Sequence, residues 1–231
     1  MTWLKKIFTS FSPKERVAFI FACVLCALSG IAIVWLGITA ITKIAPASGG
    51  DYAEGILGQP SYVNPLLAET QADKSLTRLI FANLSDLSDK IEGDKNGKVF
   101  RVRLKENLLW SDGQKLTSDD VIFSLQKLQD PQTGSPYFKN WQGVNISRTS
   151  ELEAQFTLSA PYAFFPESLR GLYVIPKHLF ADTPPANWNL SDYNLKPVGS
   201  GPYKFKSYEK RGDGFITAYH LEPNENYFGA K

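Results

Sequence analysis

The chain has 231 residues, with 25 Lys and Arg against 23 Asp and Glu, a formal charge of +2 and 43% hydrophobic residues. That length holds one large domain or two small ones. Near-neutrality and ordinary hydrophobicity exclude a disordered tail and a nucleic-acid binder that works by bulk positive charge.

Lys5, Lys6, Lys14 and Arg16, with Glu15 alone against them, precede the first apolar run, so the formal +2 becomes −1 for everything after Arg16. The run Val17–Ile41 is 25 residues without a charge, and about 20 helical residues cross a bilayer core. A cleaved signal peptide has a shorter apolar core of about 7–15 residues, so length favours an uncleaved span. Small residues at Thr39-Ala40 and Ala45-Pro46-Ala47 keep cleavage as the alternative. Cys26 follows Leu25 in mid-run, whereas a lipobox needs a small residue before its cysteine, so lipoprotein anchoring is rejected. The basic side is expected in the cytoplasm. This gives a cytoplasmic tail (1–16), a single span in the cell membrane (17–41), a flexible linker (42–50) and an extracytoplasmic domain (51–231).

Beyond the linker, Tyr52–Gly58 is a short apolar segment, expected as a first strand and stopped by Gln59-Pro60. From Thr70 to Leu87 the apolar spacing is helical, with Asp73 or Ser75 as the cap. Phe100, Val102 and Leu104 then alternate with Arg101, Arg103 and Lys105, a half-buried strand entered through the turn Glu92–Gly97. Asp112-Gly113 is a turn pair. Thr117 or Ser118 caps the next helix, and Thr117-Ser-Asp-Asp120 fits a capping box with acids at the positive end of the helix dipole. Val121, Leu125 and Leu128 share its inner face, and Asp130-Pro131 ends it. Leu152, Ala154, Phe156 and Leu158 predict a second alternating strand, terminated by Pro161. Phe164–Phe180 reads as a short helix and a buried connection. After a Pro- and Asn-rich loop (182–196), Tyr203–Lys206 and Gly214–Leu221 predict two further strands. Helices and strands interspersed in this way give an α/β or α+β class with a mixed sheet.

Chemistry-bearing motifs are scarce. Both cysteines, Cys23 and Cys26, lie inside the apolar run, and His178 and His220 lack any paired ligand spacing, so no metal and no cofactor is expected. Gly199-Ser-Gly-Pro202 lacks the lysine and hydroxyl spacing of a phosphate loop, and a turn re-entering a strand accounts for it. No serine sits in a G-x-S-x-G elbow and no nucleophile has a nearby histidine, so no catalytic residue is assigned. Aromatic and amide side chains in loops stand out instead: Tyr62 and Asn64; Tyr137, Phe138 and Trp141; Trp188 and Tyr193. Such residues wall pockets that hold extended polar ligands; the alternative for each is packing of its loop onto the core.

Taken in order, several segments resemble the extracytoplasmic solute-binding proteins of the oligopeptide, dipeptide and nickel family, which deliver ligand to ABC importers. They are Gln59-Pro60…Asn64-Pro65-Leu66; Leu79-Ile-Phe-Ala-Asn-Leu84; Lys98-Val-Phe-Arg-Val-Arg-Leu104; and Trp110-Ser-Asp-Gly113…Leu116-Thr-Ser-Asp-Asp-Val-Ile-Phe-Ser124. Asp130-Pro131…Ser135-Pro-Tyr137, Pro197-Val-Gly-Ser-Gly-Pro-Tyr203 and Glu222-Pro-Asn-Glu-Asn-Tyr-Phe-Gly229 complete the set.

The resemblance implies an α/β fold like that of the type II periplasmic binding proteins, of which this chain supplies the first lobe only. In it, 51–66 and 197–231 belong to the core sheet and 67–196 to an inserted subdomain. It implies no catalysis, a peptide or other small solute as ligand, and ABC permease subunits as partners. The ligand-binding residues carried over are Ser61, Tyr62 and Asn64 after the first strand, and Tyr137 and Trp141 after the capped helix. The W-S-D-G…T-S-D-D-V segment is expected to shape the receptor without performing a reaction. Two departures from the family pattern stand out. The stretch Asn83–Lys90 is short, so a hairpin there is lost or rebuilt. The family's second lobe, which follows the N-x-x-Y-F-G motif, has no counterpart before Lys231. One lobe alone offers an open half-site, and the rival expectation is a tethered protein-interaction or sensory module without solute capture.

Overall fold

The computed structural model describes residues 12–41 and 49–229, without the side chains of 38–41. The chain divides into two units, Met1–Ala53 and Glu54–Lys231.

In the first unit helix α1 (Pro13–Ile41) carries the apolar run. Pro13 suits its first turn, where a missing N–H leaves nothing unsatisfied, and the Ser12 amide donates to Glu15 Oε2 at 2.8 Å. Pro13–Gly37 has a mean hydropathy of 2.8 and is long and apolar enough to cross a membrane. The helix takes in Pro13–Arg16 from the expected tail, because a capped polar turn can extend an apolar helix. The remainder of that tail and linker residues 42–48 lie outside the described residues.

The second unit runs α2 (Gln71–Ile80), α3 (Leu84–Leu87), β1 (Ser88–Gly93), β2 (Val99–Leu104), α4 (Ser118–Leu128), β3 (Val144–Ser150), β4 (Glu153–Leu158), α5 (Phe165–Arg170), α6 (Lys177–Phe180), β5 (Tyr203–Lys210) and β6 (Ile216–Pro223). Short 3-10 turns lie at Pro131–Thr133, Phe138–Trp141, Pro185–Leu190 and Asp192–Asn194. The strands form a four-stranded sheet, order β1-β2-β4-β3, and a separate β5–β6 ribbon. Every named ladder is antiparallel, where a mixed sheet was expected.

Within the larger sheet Phe100 pairs with Phe156 and Val102 with Ala154. All four are buried, as the alternation predicts, while Arg101 and Arg103 stay outside. The inner face is closed by α4, through Val121, Leu125 and Leu128, and by Phe165, whose ring stands 5.0 Å from Phe100. The outer strands β1 and β3 have no strong alternation. Their charged and hydroxylated side chains suit strands that each pair on one side only, and this is why periodicity misses them.

Thr117 caps α4 as expected: its hydroxyl accepts from the Asp119 amide, and Asp120 completes the box by accepting from the Thr117 amide at 2.9 Å. Two further expectations change. The cap of α2 is Thr70, not Asp73 or Ser75. Asp73 is the acid of the box, with Oδ2 accepting the Thr70 amide at 3.2 Å and Thr70 Oγ1 accepting the Asp73 amide at 3.1 Å. Residues 52–58 form no strand, since a strand needs a ladder partner and none of the described residues pairs with this segment; Leu57 is 99% exposed. It is tied down at Gln59, whose side-chain carbonyl accepts from the Ile216 amide at 2.8 Å.

The scattered motifs of the sequence meet at one place. The Gly201 amide donates to the carbonyl of Ile80 at 2.7 Å, and the Ser111 amide donates to the carbonyl of Gly199 at 2.8 Å. Asn224 Nδ2 donates to the Gly201 carbonyl at 2.8 Å, and Asn226 Nδ2 donates to the Trp110 carbonyl at 3.1 Å. Trp110 itself is fully buried. The Trp-Ser-Asp-Gly, Gly-Ser-Gly and Asn-x-Asn segments therefore satisfy one another's backbone groups. They are joints of the fold.

Candidate functional site

The candidate site is built from the loop before α2 upward. Asn64 is buried; its Oδ1 accepts from the Leu66 amide at 3.0 Å, and its carbonyl accepts from the Leu67 and Ala68 amides. This tight turn fixes Pro65–Ala68 as one wall of a cavity. The Pro131–Thr133 turn leads to Ser135, whose hydroxyl donates to the Leu66 carbonyl at 2.6 Å. Two residues on, the Tyr137 hydroxyl donates to the Ala68 carbonyl at 2.9 Å. The Phe138–Trp141 turn is thereby held against the loop, and Gln129 secures it from behind by donating to the Trp141 and Val144 carbonyls, each at 2.6 Å.

Between these walls lies a cavity of about 530 Å³, within the range of small-molecule sites. Aromatic Tyr137, Trp141 and Tyr173 line it with Leu66, Leu128 and Leu172; Lys74, Thr77 and Arg78 of α2, Asn140 and Ser168 add polar groups. Trp141 is only 6% exposed and meets Phe165 edge-on at 6.1 Å, so its indole is wall more than free surface. Residues 74, 77 and 78 share one side of α2 through their i, i+3 and i+4 spacing. Thr77 is buried and its hydroxyl has no partner among the described residues. Burial pushes the Tyr137 hydroxyl above its ordinary pKa, helped by Glu69. Burial raises Tyr173 as well, with Arg78 opposing and Asp86 and Tyr137 adding. Both phenols therefore stay protonated hydrogen-bonding groups at neutral pH.

Among the sequence candidates, Tyr137 and Trp141 face this cavity and Ser61, Tyr62 and Asn64 do not line it. Ser61 is exposed, and its amide and that of Tyr62 donate to Asp73 Oδ1 at 2.7 and 2.9 Å, while the Tyr62 ring packs on the core. Lys74, Thr77, Arg78 and Tyr173 were missed. The first three read only as helix residues, and Tyr173 falls in a segment that reads as a buried connection. Among the described residues no group of three or more His, Cys, Asp or Glu could hold a metal ion. Each histidine instead meets one carboxylate, His178 with Asp112 at 2.8 Å and His220 with Glu209 at 3.0 Å.

The sequence profile of bacterial extracellular solute-binding proteins, family 5 (middle), matches residues 63–231. The oligopeptide-binding protein AppA of Bacillus subtilis is 29% identical over 199 residues, covering 79% of this chain and 35% of that protein. The dipeptide-binding protein of Lactococcus lactis is 29% identical over 161 residues, 62% of this chain and 28% of the relative. Among solved structures, the ABC transporter substrate-binding protein CtaP of Listeria monocytogenes superposes with a TM-score of 0.66 at 27% identity, covering 75% of this chain and 36% of that one. Bacillus subtilis AppA in complex with a nonapeptide gives 0.68 at 25% identity, with 75% and 36% covered. These neighbours are substrate-binding proteins of the type II periplasmic binding fold, and the chain spans about a third of their length. The chain belongs to family 5 of the bacterial extracellular solute-binding proteins.

Proposed function

We propose that this chain supplies the first-lobe wall of a membrane-tethered receptor that binds peptides outside the cell membrane and presents them to the permease of an ABC importer. The observation that carries the reading is the cavity walled by Tyr137, Trp141 and Tyr173. Apolar walls with a few placed polar groups suit an extended peptide, whose side chains need room and whose backbone needs hydrogen bonds. The nonapeptide held by Bacillus subtilis AppA supports the ligand class. On this reading 51–66 and 197–231 belong to the core of the lobe and 67–196 to the inserted subdomain, an arrangement supported by the separation of the β5–β6 ribbon from the four-stranded sheet. Ser61, Tyr62 and Asn64 belong to the loop that leads into this wall, and Asn64 acts through the turn it stabilises. Helix α1 stays in the membrane with residues 1–16 in the cytoplasm, a topology supported by Lys5, Lys6, Lys14 and Arg16.

Two experiments test this. Protease added to intact cells should remove residues 54–231 and spare the α1 segment; survival of that domain would overturn the topology. The full chain in lipid nanodiscs, titrated calorimetrically with mixed pentapeptides, should bind them at least weakly. Absence of any heat of binding at millimolar peptide would overturn the peptide reading.

A further inference from the structure

We infer that the α2 side of this cavity selects a carboxylate, so that Lys74 and Arg78 set the orientation and charge preference of the bound peptide. The inference rests on the peptide reading above and deepens it.

The chain beyond Arg16 carries a formal charge of −1, so positive charge is not its background. Yet the cavity wall contains two cationic side chains, Lys74 and Arg78, and no acidic one. Neither joins an ion pair or a side-chain hydrogen bond among the described residues, whereas Lys90 pairs with Glu92, Arg148 with Asp119 and Arg170 with Glu167. Glu69, which acts on Tyr137, Asp86, which acts on Tyr173, and Asp73, next to Lys74 on α2, are not among the lining residues. One turn of α2 brings both cations to the cavity wall together with Thr77, whose buried hydroxyl has no partner among the described residues. A planar guanidinium and an ammonium together fit the two oxygens of a carboxylate. Tyr173 lies near enough to Arg78 to feel its charge, and its protonated phenol offers a further donor. A carboxylate reaches this wall from two sources, the C-terminus of a peptide or an acidic side chain within it.

The test uses the full chain in nanodiscs and four acetylated probes: pentaalanine amide, pentaalanine with a free C-terminus, and pentapeptide amides of alanine carrying a central glutamate or a central lysine. The free-terminus or glutamate probe should bind about five-fold more tightly than the neutral amide, and the lysine probe more weakly. Whichever carboxylate probe gains identifies the source. The ratio of acidic to neutral affinity should fall toward one in Lys74→Gln combined with Arg78→Gln, and should shrink in high salt. Both side chains are exposed, so the double variant should fold. Equal affinities for all four probes would overturn the inference and leave the peptide reading standing. A carboxylate preference that survives the double variant would overturn it too, by moving the selectivity elsewhere. Failure of every probe to bind would overturn both.

Discussion

A Cβ built on Gly199 would stand 2.0 Å from the carbonyl oxygen of Ile80. That oxygen already accepts the Gly201 amide at 2.7 Å. The glycines of the Gly-Ser-Gly turn are thus there to let the chain press against the end of α2, and Ser200 between them takes the Ala82 amide at 3.3 Å. Because α2 is also one wall of the cavity, this joint sets where that wall stands.

The first prediction follows from that contact. Gly199→Ala cannot be absorbed by a side-chain movement, since the clash is with backbone. It should cost about 3 kcal/mol or more, read as a lowered urea midpoint by tryptophan fluorescence. A cost below about 0.5 kcal/mol would mean that the two segments are less closely apposed.

The second prediction concerns pH. Asp120 is 5% exposed, and burial pushes its carboxyl above the ordinary 3.8 despite the amides of Thr117 and Lys177 and the nearby His178. The folded protein therefore holds this proton more tightly than the unfolded chain does. The resulting stability is fully present below about pH 3.8 and is lost as pH rises through the raised value. Unfolding free energy of the parent relative to Asp120→Asn should fall between acid and neutral pH. A difference that grows with pH would contradict the assignment.

Parts of this structure were legible because local chemistry and burial agree. Phe100–Leu104 and Ala154–Leu158 alternate since one face is core, and Thr117 with Asp120 writes its capping box into four residues. Strands β1 and β3 were not legible because only Ile91, Val144 and Ile146 in them reach the core. The α2 cap was misplaced because Asp73 is an acid that can cap or can complete a box, and only Thr70 before it decides. The lining of the candidate site was half legible. Tyr137 and Trp141 stand in an aromatic loop after a predicted helix, which marks them. Lys74 and Arg78 look like any polar helix face until the fold turns α5 and Tyr173 toward them. Asn64 is buried beside the cavity wall and holds that wall through its turn.

The third prediction separates wall from surface. Tyr137→Phe removes a hydroxyl whose partner is the Ala68 carbonyl, and should cost about 1 kcal/mol of stability while loosening the loop that lines the cavity. Trp141→Ala empties a buried site against Phe165 and should cost about 3–5 kcal/mol. Peptide affinity is therefore best read in the milder variant, where calorimetry should show a loss without a change of fold by circular dichroism. Unchanged affinity in Tyr137→Phe, with the stability loss present, would separate that hydroxyl from binding.

The most direct measurement places a photo-crosslinking amino acid, p-benzoylphenylalanine, at position 140 in the cavity wall and, separately, at position 147 on the outward face of the sheet. The full chain is irradiated with a labelled pentapeptide. Both positions are exposed, so folding should be retained. Covalent capture from 140, competed away by unlabelled peptide and absent from 147, is the result the peptide-receptor account predicts. Equal capture from both positions, or none from 140 while peptide still binds, would contradict it by placing the ligand elsewhere.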